Sequence, residues 1–249
     1  MNTVIDTILS HRSVRKFEDK KLSQEQIETI VRSAQAASTS SYIQAYSIIG
    51  VTDQTKKEQL AEVAANQEYV AKNGHLFVFC ADLHRHEVIG EMENADVLSS
   101  IESTEKFMVA TIDASLAAQN ASIAAESMGL GICYIGGLRN DLVKVSEILG
   151  TPDRVIPLFG LVVGHPAKIN DLKPRLPLEH VYHENQYNTD EVSYKEQLES
   201  YNQTVQEYYQ DRTKGTRTDT WTGQLAKMLG NKARMYMKDF VNGKGMNRR

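Results

Sequence analysis

Five consecutive residues near the start of the chain, His11-Arg12-Ser13-Val14-Arg15, gather two guanidiniums, an imidazole and a hydroxyl. A guanidinium is a planar fork of donors that pairs bidentately with phosphate, and a serine adds one more donor. The run reads as a phosphate clamp or, with Lys16, Lys20 and Lys21 close behind, as a basic surface turn. A second cationic pair, Lys173 and Arg175, flanks Pro174. The extended backbone that a proline imposes points both side chains the same way. Two such clusters suit one phosphorylated ligand held at both ends, and suit separate surface patches equally.

Other candidates are less specific. Ser38-Thr39-Ser40-Ser41 follows an Ala-rich helix end. Small hydroxyl residues there would let a flat ligand approach the backbone, although they also favour ordinary helix-terminal loops. Gly129-Leu130-Gly131 and Gly136-Gly137 superficially resemble a dinucleotide fingerprint. They follow a helix and bracket a strand, whereas that fingerprint follows a strand and opens a helix. Gly136-Gly137 does fall between a strand and a helix, where exposed backbone N–H groups can meet a ligand edge. His84/His86 and His180/His183 have plausible metal spacings but no accompanying ligand signature, so no metal is expected. Cys80 and Cys133 lie in apolar segments and read as buried structural thiols. No Gly-x-Ser-x-Gly elbow is present and no nucleophile has an evident base, which assigns the chemistry to a bound cofactor rather than a catalytic side chain.

The elements that must position these residues alternate in type. Residues 3–10 form a short helix, and Ser23 with Gln26 makes a capping box for the next one. Tyr46–Val51, His75–Ala81, Ile132–Ile135 and Ile156–Val163 read as strands, the second and fourth apolar enough to be fully buried. Helices are expected over 54–65, 103–128, 141–149, 191–210 and 221–242, with a polar loop over 211–220. The helix over 103–128 is small and apolar all round, which indicates burial in a core or between subunits. Alternating strands and helices give α/β or α+β layering.

Composition narrows the class. The chain has 249 residues, 41% hydrophobic and 24% charged, with a net charge of −4. It is long enough for one large core or two modest ones and excludes a disordered, collagenous or disulfide-scaffold protein. No apolar run reaches the roughly 20 residues of a membrane span, and the N-terminus lacks the apolar stretch of a secretory signal. Two distant cysteines fit a reducing compartment, so a cytoplasmic location is expected. The charge is uneven: residues 212–249 carry 10 basic side chains against 2 acidic, and the first 211 carry 18 against 30. That basic tail could meet nucleic acid, an acidic partner surface or an anionic small molecule; an acidic body and few interleaved aromatics disfavour nucleic acid.

The segments HRSVRKF, AQAASTSSYIQAYSIIGV, NQEYVAKNGHLFVFCADLHRH, AAESMGLGICYIGGLRN, PLFGLVVGHPA, LKPRLP and EYYQDRT…TDTWT together resemble the FMN-dependent nitroreductase superfamily. They are most similar to its NADPH-dependent flavin reductase and oxygen-insensitive nitroreductase branch, in the right order over essentially the whole chain. The resemblance implies an α+β fold: a central mixed sheet flanked by helices, in an intertwined homodimer with a C-terminal helical excursion. It divides the chain into an FMN-binding core, 1–190, and an extension, 191–249, that contacts the partner subunit and NADPH. By resemblance His11, Arg12, Ser13 and Arg15 hold the FMN phosphate and the flavin's polar edge. Ser38, Thr39 and Ser40 line the same site, Gln67 reaches the flavin, and Ile135, Gly136 and Gly137 set their backbone by its central ring. Lys173 and Arg175 form the second basic pair. Arg15, Arg212, Lys214 and Arg217 are implied to bind NADPH. The implied activity is ping-pong electron transfer from NADPH through bound FMN to free flavin, quinones or nitroaromatic compounds. A flavin carrier without turnover is the alternative; neither nucleic acid nor a membrane is an expected partner.

Overall fold

Helix-capping chemistry sets much of the local structure in the computed structural model, which describes residues 2–249. In chain order the elements are α1 (Thr3–Leu9), α2 (Gln24–Gln35), β1 (Tyr46–Val51), α3 (Gln54–Val63), α4 (Glu68–Ala71), β2 (His75–Asp82), α5 (His84–Met92) and α6 (Leu98–Ile101). Then follow α7 (Thr104–Ser127), β3 (Gly131–Ile135), α8 (Leu142–Leu149), β4 (Val155–Gly164), α9 (Glu191–Thr213), α10 (Trp221–Gly230) and α11 (Met237–Gly243). The Ser23–Gln26 capping box starts α2, and Asp53, Ser103 and Asp141 cap α3, α7 and α8 through the third helical N–H, satisfying donors a helix start otherwise leaves free.

The chain divides into two compact units, one comprising residues up to Asn170 with Arg234–Arg249 and the other Asp171–Ala233. In the first, the strands form one sheet of order β1-β2-β4-β3 whose ladders are all antiparallel. Among the described residues parallel pairing is confined to a single bridge, Ser13 to Ile132. All eight residues of β2 are buried. Pro157, which has no N–H for a ladder, sits in β4 where the register with β2 shifts between Phe79 and Cys80, the kind of irregularity that tolerates proline inside a sheet.

Side chains alternate between the two faces. Leu76, Val78, Cys80, Cys133 and Ile135 pack with α3, α4 and α8, whereas Phe77, Phe79, Ile132 and Leu161 pack against α2 and α7. On α7 the residues Ala114, Ala117, Ala118, Ala121 and Ala125 are fully buried, and their small side chains let this long helix lie close to the sheet. Met108, Ile112 and Leu116, four residues apart on the same helix, stay exposed.

The helix expected over 221–242 is broken: α10 ends at Gly230 and α11 starts at Met237. Between them Arg234 takes a left-handed conformation and its guanidinium donates to Asn140 Oδ1 at 2.9 Å. Tyr236 Oη donates to the Arg139 carbonyl and accepts from Leu142 N. These contacts return the chain to the first unit, where Val241 and Met246 enter the core. The loop expected over 211–220 is shorter, because α9 continues to Thr213 and stops at a left-handed Lys214.

His75 opens β2 and is only 5% exposed. Burial, reinforced by the nearby Lys57 ammonium, pushes its pKa down to about 4. An unfolded histidine protonates near 6.5, so below that pH the unfolded chain binds a proton the folded chain refuses and stability falls as pH drops. The stability of the wild type relative to His75→Gln, measured by urea unfolding, should therefore decrease by about 2 kcal/mol from about pH 7 to about pH 5. A pH-independent difference would contradict it.

Candidate functional site

The His11–Arg15 segment leaves α1 as an extended strip along β3. Val14 N donates to the Ile132 carbonyl at 2.8 Å, and the Val14 side chain is buried against Gly131, where an added Cβ would come within 2.7 Å of it. Asn170 Nδ2 fixes the strip from outside by donating to the Ser13 carbonyl at 2.9 Å. At its start His11 Nδ1 meets Glu126 Oε1 at 2.7 Å, near the C-terminus of α7. Ser13 and Arg15 face the Cys133 thiol, which burial pushes up while both neighbours pull it down. Arg15 also lies near the Tyr69 phenol, whose pKa burial raises and the guanidinium lowers. Among the described residues neither Arg12 nor Arg15 makes an ion pair with a carboxylate. Two uncompensated guanidiniums and a hydroxyl on one strip fit a phosphate group.

Beyond Ile135, at the end of β3, the chain tightens into a 3₁₀ turn, Gly136–Asn140. A Cβ on Gly137 would lie 3.0 Å from Ala64 Cα, so only glycine allows the turn to approach the end of α3 this closely. Asn140 Nδ2 donates across to the Val63 carbonyl. The same α3 end carries left-handed Ala65 and Asn66 and leads to half-buried Gln67, whose backbone caps α4. Arg15, Tyr69, Gln67, Gly136 and Gly137 thus come together around β3 and the ends of α3 and α4.

Ser38, Thr39 and Ser40 lie elsewhere. Their loop is strained, with Ser41, Tyr42 and Gln44 all left-handed, conformations that cost such residues about 1 kcal/mol or more each. Asp113, fully buried on α7, offsets this by accepting from Ser40 N and Ala45 N, both at 3.0 Å. His86 Nε2 donates to the Ile43 carbonyl at 2.8 Å, and Arg85 donates to that of Gln44. Tyr42, at the tip, is 83% exposed. Thirteen residues, about 20 Å of helix, separate Asp113 from Glu126 on α7, so the serine loop and the start of the His11 strip are anchored at well-separated points of that helix. Asp113 was invisible to motif reasoning; its signal was a carboxylate on an alanine-lined helix face with no cation nearby in sequence.

The remaining cations fall in the second unit. Arg217 lies 4.1 Å and Lys173 Nζ 5.9 Å from the centre of the Tyr209 ring. Arg217 Nε donates to Asp219 Oδ2 at 2.7 Å, while Arg212 Nη1 donates to Tyr208 Oη at the same distance. Tyr201 donates to the Pro174 carbonyl and its phenol, raised mainly by burial, is pulled down by Arg175. Tyrosines of α9 therefore gather Lys173, Arg175, Arg212 and Arg217 on one unit; Lys214 caps the helix, exposed. The sequence signal for this platform was Tyr201, Tyr208 and Tyr209 at helical spacing.

An antiparallel α+β sheet edged by an uncompensated basic strip, followed by a helical unit with its own basic platform, defines the class. The chain belongs to the nitroreductase family: the model of that family matches residues 8–165, and that of the nitroreductase family C-terminal domain matches 173–249. It is 56% identical over 248 residues to FMN reductase (NADPH) of Bacillus subtilis, covering all of both chains. Its fold superposes on the solved NfrA1 of B. megaterium with a TM-score of 0.98, at 64% identity over 99% of this chain and 100% of that one. On NADPH:FMN oxidoreductase from Vibrio harveyi, solved with NAD+, the TM-score is 0.90 at 41% identity over the whole of both chains.

Truncating Asp113 would strand two N–H groups, that of Ala45 buried and that of Ser40 half-buried. Asp113→Ala should destabilise the protein by about 2–4 kcal/mol in urea unfolding and weaken FMN retention, with Asp113→Asn, which keeps one acceptor, losing less. Wild-type stability in Asp113→Ala would remove the carboxylate from its anchoring role.

Proposed function

We infer that this chain is an NADPH-dependent, FMN-containing oxidoreductase, a flavin reductase and nitroreductase. The observation that carries the reading is the Arg12–Ser13–Arg15 strip, cationic and free of carboxylate partners, in a chain that shares its full length with an FMN reductase (NADPH). Bound FMN would supply the redox chemistry that links NADPH as donor to free flavin, quinones or nitroaromatic compounds as acceptors in a ping-pong sequence. The protein binds and orients. His11, Arg12, Ser13 and Arg15 hold the phosphate and polar edge; Gln67 and the backbone of Ile135, Gly136 and Gly137 address the ring, with Lys173 and Arg175 as the second basic pair. Arg15, Arg212, Lys214 and Arg217 take the NADPH phosphates, Arg217 already held over the Tyr209 ring.

Ser38, Thr39 and Ser40 enter the same site from a second copy of the chain. Two features support such a homodimer: the separation of the serine loop from the strip along α7, and the exposed Met108–Ile112–Leu116 row on that helix, an apolar surface of the kind that marks subunit contacts. In this arrangement 191–249 embraces the partner and 1–190 carries the flavin. Among the described residues no helix is long and apolar enough to cross a membrane. Free, buried Cys80 and Cys133 suit a cytoplasmic site of action.

The FMN-loaded protein should bleach at the flavin band on anaerobic addition of NADPH, faster than with NADH; an unbleached spectrum refutes the reading. Arg15→Ala should weaken FMN binding by about 1.5–3 kcal/mol, and unchanged affinity would remove Arg15 from the clamp. Arg217→Ala should raise KM for NADPH about tenfold and leave that for NADH nearly unchanged; equal rises would show that Arg217 does not read the 2′-phosphate.

A further inference from the structure

A cavity of about 590 Å³ lies in the first unit, between the 17–22 segment, the end of β1 and the turn that leads from α4 into β2. It uses none of the residues assigned to FMN or NADPH. Four lysines line it, Lys20, Lys21, Lys57 and Lys72, against two carboxylates, Glu18 and Asp19. Lys72 is neutralised by Glu68 at 2.7 Å. Among the described residues the other three lysines have no ion-pair partner.

Lys57 is the unusual member. It is only 6% exposed, and its ammonium has a neutral partner, Asn73, whose Oδ1 accepts at 3.0 Å. Burial and the nearby Lys21 ammonium both lower its proton affinity. Beside it stands His75, equally buried, whose Nε2 has no hydrogen-bond partner. That nitrogen lies 2.9 Å from the position of a Cβ on Gly50, so the ring occupies space only a glycine leaves open. A buried ammonium without counter-charge is costly, and an oxyanion bound in the cavity would supply the missing charge. Phe17, Leu22 and Ile27 supply an apolar wall, and the volume suits a small organic molecule rather than a bare ion.

We propose that this pocket binds a small organic oxyanion, its phosphate or carboxylate head held by Lys57 and Lys21 next to His75 and its apolar body on the Phe17–Ile27 wall. The proposal is independent of the flavin reading, and either can fail without the other. The test follows the His75 imidazole NMR resonances of the FMN-loaded, full-length protein during titration with inorganic phosphate, phenyl phosphate and benzoate. The expected result is a saturable shift with phenyl phosphate or benzoate, tighter than with inorganic phosphate, and weakened about tenfold in Lys57→Gln. The preferred probe identifies the head group. Lys21→Gln, a change at an exposed position, should weaken binding in the same direction without risk to the core. No saturable shift with any probe, or equal affinity in both lysine variants and the wild type, overturns the proposal.

Discussion

The buried carboxylate of Asp113 is the contact on which the site geometry rests. A loop with three left-handed non-glycine residues does not hold its shape by local preference, and two charge-assisted hydrogen bonds from one side chain supply what it lacks. The carboxylate can be there only because α7 is seated on the sheet by alanines, which bring the helix axis close enough for Asp113 to reach Ser40 and Ala45. Further along, the same helix offers Glu126 to His11. One rigid helix thus fixes both the serine loop and the start of the basic strip, and fixes them far apart.

Charge is managed by withholding partners. Several cations elsewhere in the first unit are paired: Arg248 and Arg249 meet Glu102, and Lys144 meets Glu62. The strip keeps Arg12 and Arg15 free of carboxylates, with Tyr69 and the Cys133 thiol beside Arg15, which leaves their charge available to the phosphate we propose they hold. The second unit uses a different device. Aromatic faces of α9 hold Arg212 and Arg217 in place while leaving guanidinium donors for a ligand. Only Arg217 also carries an acidic neighbour, Asp219, which orients its fork.

Much of this was legible in the sequence. The strand Tyr46–Val51, the Ser23 capping box and the long helix through 103–128 follow from periodicity and cap chemistry, because each is a local property. The family resemblance supplied the cofactor and the site residues we propose, which no spacing alone could. What stayed hidden depends on tertiary contact. Ser41, Tyr42 and Gln44 carry no composition signal for positive φ, and Asp113 looks like any polar residue on a helix until its partners are known. The break between Gly230 and Met237 is set by Asn140 and the Arg139 carbonyl, about 90 residues away in sequence. Lys57 and His75 reveal their exceptional burial only once β1 and β2 are paired.

The central claim is that a flavin site is assembled from the basic strip of one chain and the serine loop of another. Mixed dimers test it most directly. One chain carries Arg12→Ala with Arg15→Ala, the other Thr39→Trp, and each alone forms dimers defective at both sites. When the two are co-expressed, a shared site predicts that the heterodimer regains one intact flavin site, with its absorbance and NADPH-driven bleaching. If the mixture binds no more flavin than the two parents, the site belongs to a single chain and the account is wrong.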